Sequence, residues 1–153
     1  MAYNKLWYDW KEMRRDVNTL CRQIVLDKFD PEVIVGLSRG GLTPGVMMSH
    51  WMKKPFKPIK TALRDYPEWE DYLPRKTDKQ VLIVDDVCDS GETFHKISKY
   101  IEERANGADV RFAVLYWNNE CDFEPHYYVN DIAKNSTNTW IHFPWESWWN
   151  TPI

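Results

Sequence analysis

Apolar positions change period repeatedly along the chain, and the changes predict its elements. Trp10, Met13, Val17, Leu20 and Ile24 recur at helical spacing behind Asp9 and Glu12, the two ends of a capping box, which predicts a helix over Asp9–Lys28. The period then collapses into a continuous apolar run, "VIVGLS", Val33–Ser38, closed by "RGG"; this reads as a buried strand feeding a glycine loop. Thr43-Pro44 has the form of an N-cap with proline at the first helical position, opening a helix through about Met52. "FKPIKTAL" is a weaker strand candidate because it contains Pro58.

A second continuous run, "VLIVDD", is β-branched at three of its first four positions, as in a central parallel strand covered on both faces. Phe94, Ile97, Tyr100 and Ile101 mark one face of a following helix that ends at Asn106-Gly107. "VRFAVLYW" and "HYYV" read as further strands. The alternation predicts one α/β domain over residues 1–153, with a central, mostly parallel sheet flanked by helices. Between that candidate and "VLIVDD", Arg64–Lys79 carries two prolines, mixed charge and aromatics, the composition of a long loop that is either a functional lid or a disordered connection.

Composition narrows the function classes. A hydrophobic share of 43% with nine tryptophans predicts a packed domain, with some indoles lining a pocket or subunit contact. A net charge of -3 gives no basic footprint for nucleic acid. Three widely spaced cysteines, Cys21, Cys88 and Cys121, suggest reduced thiols rather than a disulfide framework. No apolar run reaches the roughly 18 residues of a membrane span, and "MAYNKLWYDW" lacks the layout of a leader, so a cytoplasmic location is expected. The four histidines have no metal-ligand spacing.

The chemistry concentrates in "QVLIVDDVCDSGETF", Gln80–Phe94. Ligands of open α/β sheets bind beyond the carboxyl ends of the strands, where Asp85 and Asp86 fall. Asp89, Ser90, Gly91, Glu92 and Thr93 then lead into a helix whose N-terminal N–H groups favour a phosphate. Carboxylates beside a phosphate cradle suit a ribose 5-phosphate: they accept from sugar hydroxyls directly or through Mg²⁺, and stabilise positive charge developing at the anomeric carbon.

This stretch resembles the phosphoribosyl diphosphate (PRPP) motif of the type I phosphoribosyltransferases. Within that family "GLSRGGLTPG", Gly36–Gly45, is similar to the pyrophosphate loop of the bacterial xanthine-guanine enzymes, and "NTWIHFPWE", Asn138–Glu146, to their base-pocket segment. The resemblance implies the type I phosphoribosyltransferase fold with a small hood from the N- and C-terminal segments. It also implies a Mg²⁺-dependent transfer of the phosphoribosyl group from PRPP to a nucleobase, most readily a purine, and a homodimer or homotetramer. By position, Arg39 and Gly40 would hold pyrophosphate, often through a non-proline cis peptide in this family. Asp85 and Asp86 would face ribose and Mg²⁺, and residues Asp89 to Thr93 would enclose the 5'-phosphate. Asp89 would assist proton removal from the attacking nitrogen, and Trp140 and Ile141 would lie against the base. The loop before Gln80 would be the flap that closes over the reaction.

Where the 6-oxopurine enzymes carry a base-contacting lysine, alignment of "RFAVLYWNNE" puts Asn118, an amide able to donate or to accept, so the base stays open. Arg39 could instead pair with a surface carboxylate, and Trp140 could be packing beside Trp145, Trp148 and Trp149. Two other functions fit parts of the pattern: a non-catalytic PRPP- or nucleotide-binding regulator of the same fold, and a phosphoacceptor receiver domain. The receiver normally needs a lysine after a later strand and has no use for the glycine-containing phosphate loop.

Overall fold

The computed structural model describes residues 3–60, 80–104 and 107–150. Five strands form one sheet: β2 (Val33–Ser38), β3 (Phe56–Lys60), β4 (Gln80–Cys88), β5 (Asp109–Asn118) and β6 (Tyr127–Ile132), in the order β3-β2-β4-β5-β6. Every pairing in it is parallel. A separate parallel pair joins β1 (Asn4–Trp7) to β7 (Thr139–His142), so the two ends of the chain build the hood together.

Helix α1 (Trp10–Leu26) begins where the capping box places it. Asp9 accepts from the Glu12 N–H at 2.7 Å, and the Glu12 carboxylate accepts from the Asp9 N–H at 2.9 Å. The helix stops at Asp27, and Lys28 already has a φ of 57°. Met13, Val17, Leu20 and Ile24 are buried, as their spacing predicts, whereas Trp10 is 53% exposed. Helix α2 (Leu42–Met52) begins one residue before the expected Thr43 cap; Gly41 occupies the cap position and no side chain caps the helix. The strand that contains Pro58 does form, and it lies at the sheet edge, where a missing N–H costs no ladder bond on the open side. Helix α3 spans Glu92–Arg104. Residues 61–79, which include the loop Arg64–Lys79, lie outside the described residues, as does Asn106.

The continuous apolar character of β4 follows from burial on both faces. Leu82 and Val84 join Ala113, Leu115 and the inner faces of α1 and α2. Val81 and Ile83 join Phe94, Ile97, Phe112 and Val114 on the α3 side. Because β2 connects outward to β3 while β4 returns to its other side, the strand order reverses between β2 and β4. Ligand crevices of open parallel sheets form at such a reversal, outside the carboxyl ends of the strands.

Candidate active site

Both loops flanking that reversal are shaped for close approach. After β2 the chain turns through Arg39, Gly40 and Gly41, with the Ser38–Arg39 peptide cis. A Cβ on Gly40 would lie 2.2 Å from a carboxylate oxygen of Asp86, so glycine is what lets this loop meet the end of β4. After β4, Gly91 has a φ of 78°, and a Cβ there would stand 2.7 Å from Phe123. That conformation turns the chain into the start of α3.

Asp85 and Asp86 are consecutive strand residues, so their side chains leave opposite faces of the sheet. Asp85 lines a cavity of about 100 Å³ together with residues 87–94, at the start of α3. Asp86 lines a wider cleft of about 610 Å³ with Arg39, Gly40, Trp145, Glu146 and Trp149. Asp85 accepts from the Asp86 N–H at 2.9 Å, and Asp86 from the Val87 N–H at 2.7 Å. Burial pushes the Asp85 carboxyl well above the usual range, and the neighbouring Asp86 charge adds to this. Burial likewise pushes Asp86 up. Glu146, which sequence reasoning left without a role, completes the acidic wall; burial and then the Asp86 charge raise its pKa, while His142 and Arg39 pull it down.

On the α3 side, the Glu92 N–H donates to Ser90 Oγ at 3.3 Å, and His95 N–H closes the first helical turn on Gly91. The remaining N-terminal N–H groups of α3 are those that a helix leaves without intrahelical acceptors. Asp89 and Ser90 are exposed and Thr93 half-buried, all on the lining of the same cavity. Cys88 is buried, and its thiol is pushed up by burial, as befits a small filler.

The residues expected at the base sort differently. Asn118 is 1% exposed. Its amide N–H donates to the Asp89 carbonyl at 3.0 Å and to Asn135 Oδ1 at 3.3 Å, while its oxygen accepts from the N–H groups of Lys134 and Glu120. Both ends of the amide are therefore engaged by protein. Ile141 is buried in the core, and only its backbone remains for a ligand. The carbonyls of Asn138, just before β7, and His142, at its end, accept from the N–H groups of Asn4 and Tyr8, so by ladder alternation the polar groups of Ile141 face the other edge. Trp140 is 45% exposed, packed against Tyr3 at a ring separation of 5.8 Å.

One side chain absent from the sequence-based site is Lys134, in the turn between β6 and β7. Its ammonium lies 2.8 Å from Asp89 Oδ2 and 5.0 Å from the centre of the Trp140 ring. Nothing local marks its ion pair, which crosses 45 residues of sequence.

No helix among the described residues is long and apolar enough to cross a membrane. Within the same residues, no group of three or more His, Cys, Asp or Glu is arranged to hold a metal ion.

The site has relatives. The chain is 28% identical to the xanthine-guanine phosphoribosyltransferase of Idiomarina loihiensis over 93% of its own length and 87% of that protein's. The purine phosphoribosyltransferase of Pyrococcus horikoshii is 30% identical, with a TM-score of 0.75 and 97% of each chain covered. The fold is also that of the Helicobacter pylori xanthine-guanine-hypoxanthine phosphoribosyltransferase, with a TM-score of 0.79 at 21% identity over 95% of each chain. The phosphoribosyl transferase domain profile matches residues 6–150, which takes in both glycine-bearing loops, the carboxylate pair and the hood, and the chain belongs to that family.

Proposed function

We propose that the protein transfers the 5-phosphoribosyl group of PRPP to a ring nitrogen of a purine and releases pyrophosphate. The observation that carries this reading is the position of the Asp85–Asp86 pair between two loops suited to anions, one on each face of the same strand end. A sugar with phosphate at one end and pyrophosphate at the other spans such a pair. The α3 N-terminus receives the 5'-phosphate, and Arg39 and Gly40 receive the pyrophosphate.

In the reaction the bond from the anomeric carbon to the pyrophosphate oxygen breaks, and a bond to the purine nitrogen forms. The carboxylates stabilise the positive charge on the sugar as the leaving group departs. The nitrogen's proton passes to the exposed carboxylate of Asp89 or to water beside it. The carboxylates of Asp85 and Asp86, one on each face of the strand end, each offer hard oxygen ligands to a divalent cation, which would take its remaining ligands from the substrate and water. Mg²⁺ held there would neutralise charge on the departing pyrophosphate.

The test is pyrophosphate release from PRPP with Mg²⁺ and a panel of hypoxanthine, guanine, xanthine and adenine. Turnover with at least one purine is expected. PRPP binding by calorimetry without turnover of any base would point instead to a regulator of the same fold, and absence of both would remove the reading.

A further inference from the structure

We infer that Lys134 selects the base, presenting its ammonium to an oxygen on the edge of a ring stacked against Trp140. The inference rests on the transfer reaction proposed above. Lysines seldom give up water without a partner, yet the Lys134 side chain is 12% exposed. What holds it is one carboxylate oxygen of Asp89 and the face of one indole. An ammonium has three N–H donors. Asp89 takes one, and the indole face supplies charge attraction rather than a lone pair.

The surroundings give the remaining donors a direction. The Lys134 backbone is pinned on both sides: its N–H donates to Asn118 Oδ1 at 3.1 Å, and its carbonyl accepts from the Thr139 N–H at 3.1 Å. Asn118 holds the Asp89 carbonyl through the other end of the same amide. One buried residue thus fixes the lysine relative to the phosphate loop. Trp140 keeps 45% of its surface open, enough for a flat heterocycle to stack on it. A base resting there, with a ring nitrogen toward the Asp85–Asp86 end, would bring a substituent to the ammonium.

The chemistry of that substituent decides acceptance. A ring carbonyl accepts from the ammonium and shares it with Asp89. An exocyclic amino group meets a donor with a donor and gains nothing, while desolvating the cation. Asn118 could have served either substituent by presenting either end of its amide, but both ends are engaged within the protein. The site is therefore built for an oxopurine, with Lys134 as the contact and Asn118 as the residue that positions it.

The experiment is steady-state kinetics with hypoxanthine, guanine and adenine in the presence of PRPP and Mg²⁺, for the intact protein, Lys134→Gln and Lys134→Arg. Calorimetric PRPP affinity serves as the control for the phosphate side. Hydrogen-bonding sites discriminate strongly against ligands that leave them unpaired, so wild type should favour the oxopurines over adenine by at least ~10²-fold in kcat/KM. Lys134→Gln, whose amide can donate or accept, should shrink that ratio by about 10²-fold, with PRPP affinity within roughly twofold. Lys134→Arg should keep the oxopurine preference, and it supplies the comparison if the Gln variant does not fold. An unchanged ratio in Lys134→Gln, an adenine preference in wild type, or loss of preference in Lys134→Arg would each overturn the inference while leaving the transferase reading intact. Absence of turnover with every base would overturn both.

Discussion

Neither Asp85 nor Asp86 is placed where a carboxylate prefers to be, and this has a measurable consequence at the scale of one residue. A group whose pKa is raised on folding adds stability only while it is protonated, and that contribution is lost as pH rises through its folded pKa. Above the unfolded carboxylate range Asp85 therefore holds the free protein back, through its own desolvation and its neighbour's charge. Asp85→Asn keeps an oxygen for the Asp86 N–H and removes the charge. The free variant should melt above wild type at pH 8, by ~2–4 °C for each kcal/mol relieved in a domain of this size. The gain should narrow as pH falls and vanish near the unfolded carboxylate value of about 3.9. The same variant should lose pyrophosphate release by roughly 10²-fold or more, as does an enzyme stripped of a charge that stabilises its transition state. Calorimetry across pH, paired with the activity assay, checks both; a variant less stable than wild type at pH 8 would mean that Asp85 supports the fold.

Among the elements, α1 carries its own start signal, and that signal can be removed without touching the site. Asp9→Ala deletes the acceptor for the Glu12 N–H, a loss of about 1 kcal/mol for a capping residue. The expected readout is a fall of ~2–4 °C in Tm with kcat/KM unchanged. Signals of this kind, complete within a few residues, are what the sequence displays well. The capping box, the doubly buried run of β4 and the acidic strand end with its Gly91 turn into α3 all stand in the structure where local spacing puts them. The features that the sequence displays poorly depend on distant partners. Thr43-Pro44 looks like a cap, yet the chain reaches helical geometry earlier because the Gly41 N–H donates to the Leu37 carbonyl at 2.7 Å. Pro58 weakens a strand pattern only if the strand is internal, and edge position is a property of the finished sheet. Asn118 and Lys134 acquire their places from Asp89, 29 and 45 residues away; no window of sequence contains all three.

Across the whole molecule the site divides between two bodies of structure. The loops proposed for the phosphate and the pyrophosphate belong to the parallel sheet, whereas Trp140, Ile141 and Glu146 belong to the hood or its continuation. The two are tied beneath the surface by Tyr8, which follows β1 and holds the His142 carbonyl through its N–H. Its hydroxyl donates to Asp16 of α1 at 2.6 Å. Asp16 is 1% exposed and also accepts from Asn130 of β6 at 2.9 Å and from Arg15 at 2.9 Å. Tyr8→Phe keeps the ring against Tyr116 and Phe143 and deletes one bond to a buried carboxylate, worth about 1.5–3 kcal/mol. The melting temperature should fall by several degrees, roughly 4–10 °C. The kinetic result is more telling than the melt. If the hood carries the base and the sheet carries PRPP, loosening this tie should raise KM for the purine several-fold while leaving KM for PRPP nearly unchanged. Equal increases in both would show that the hood and the sheet act as one body in binding, and the division of labour between them would have to be given up.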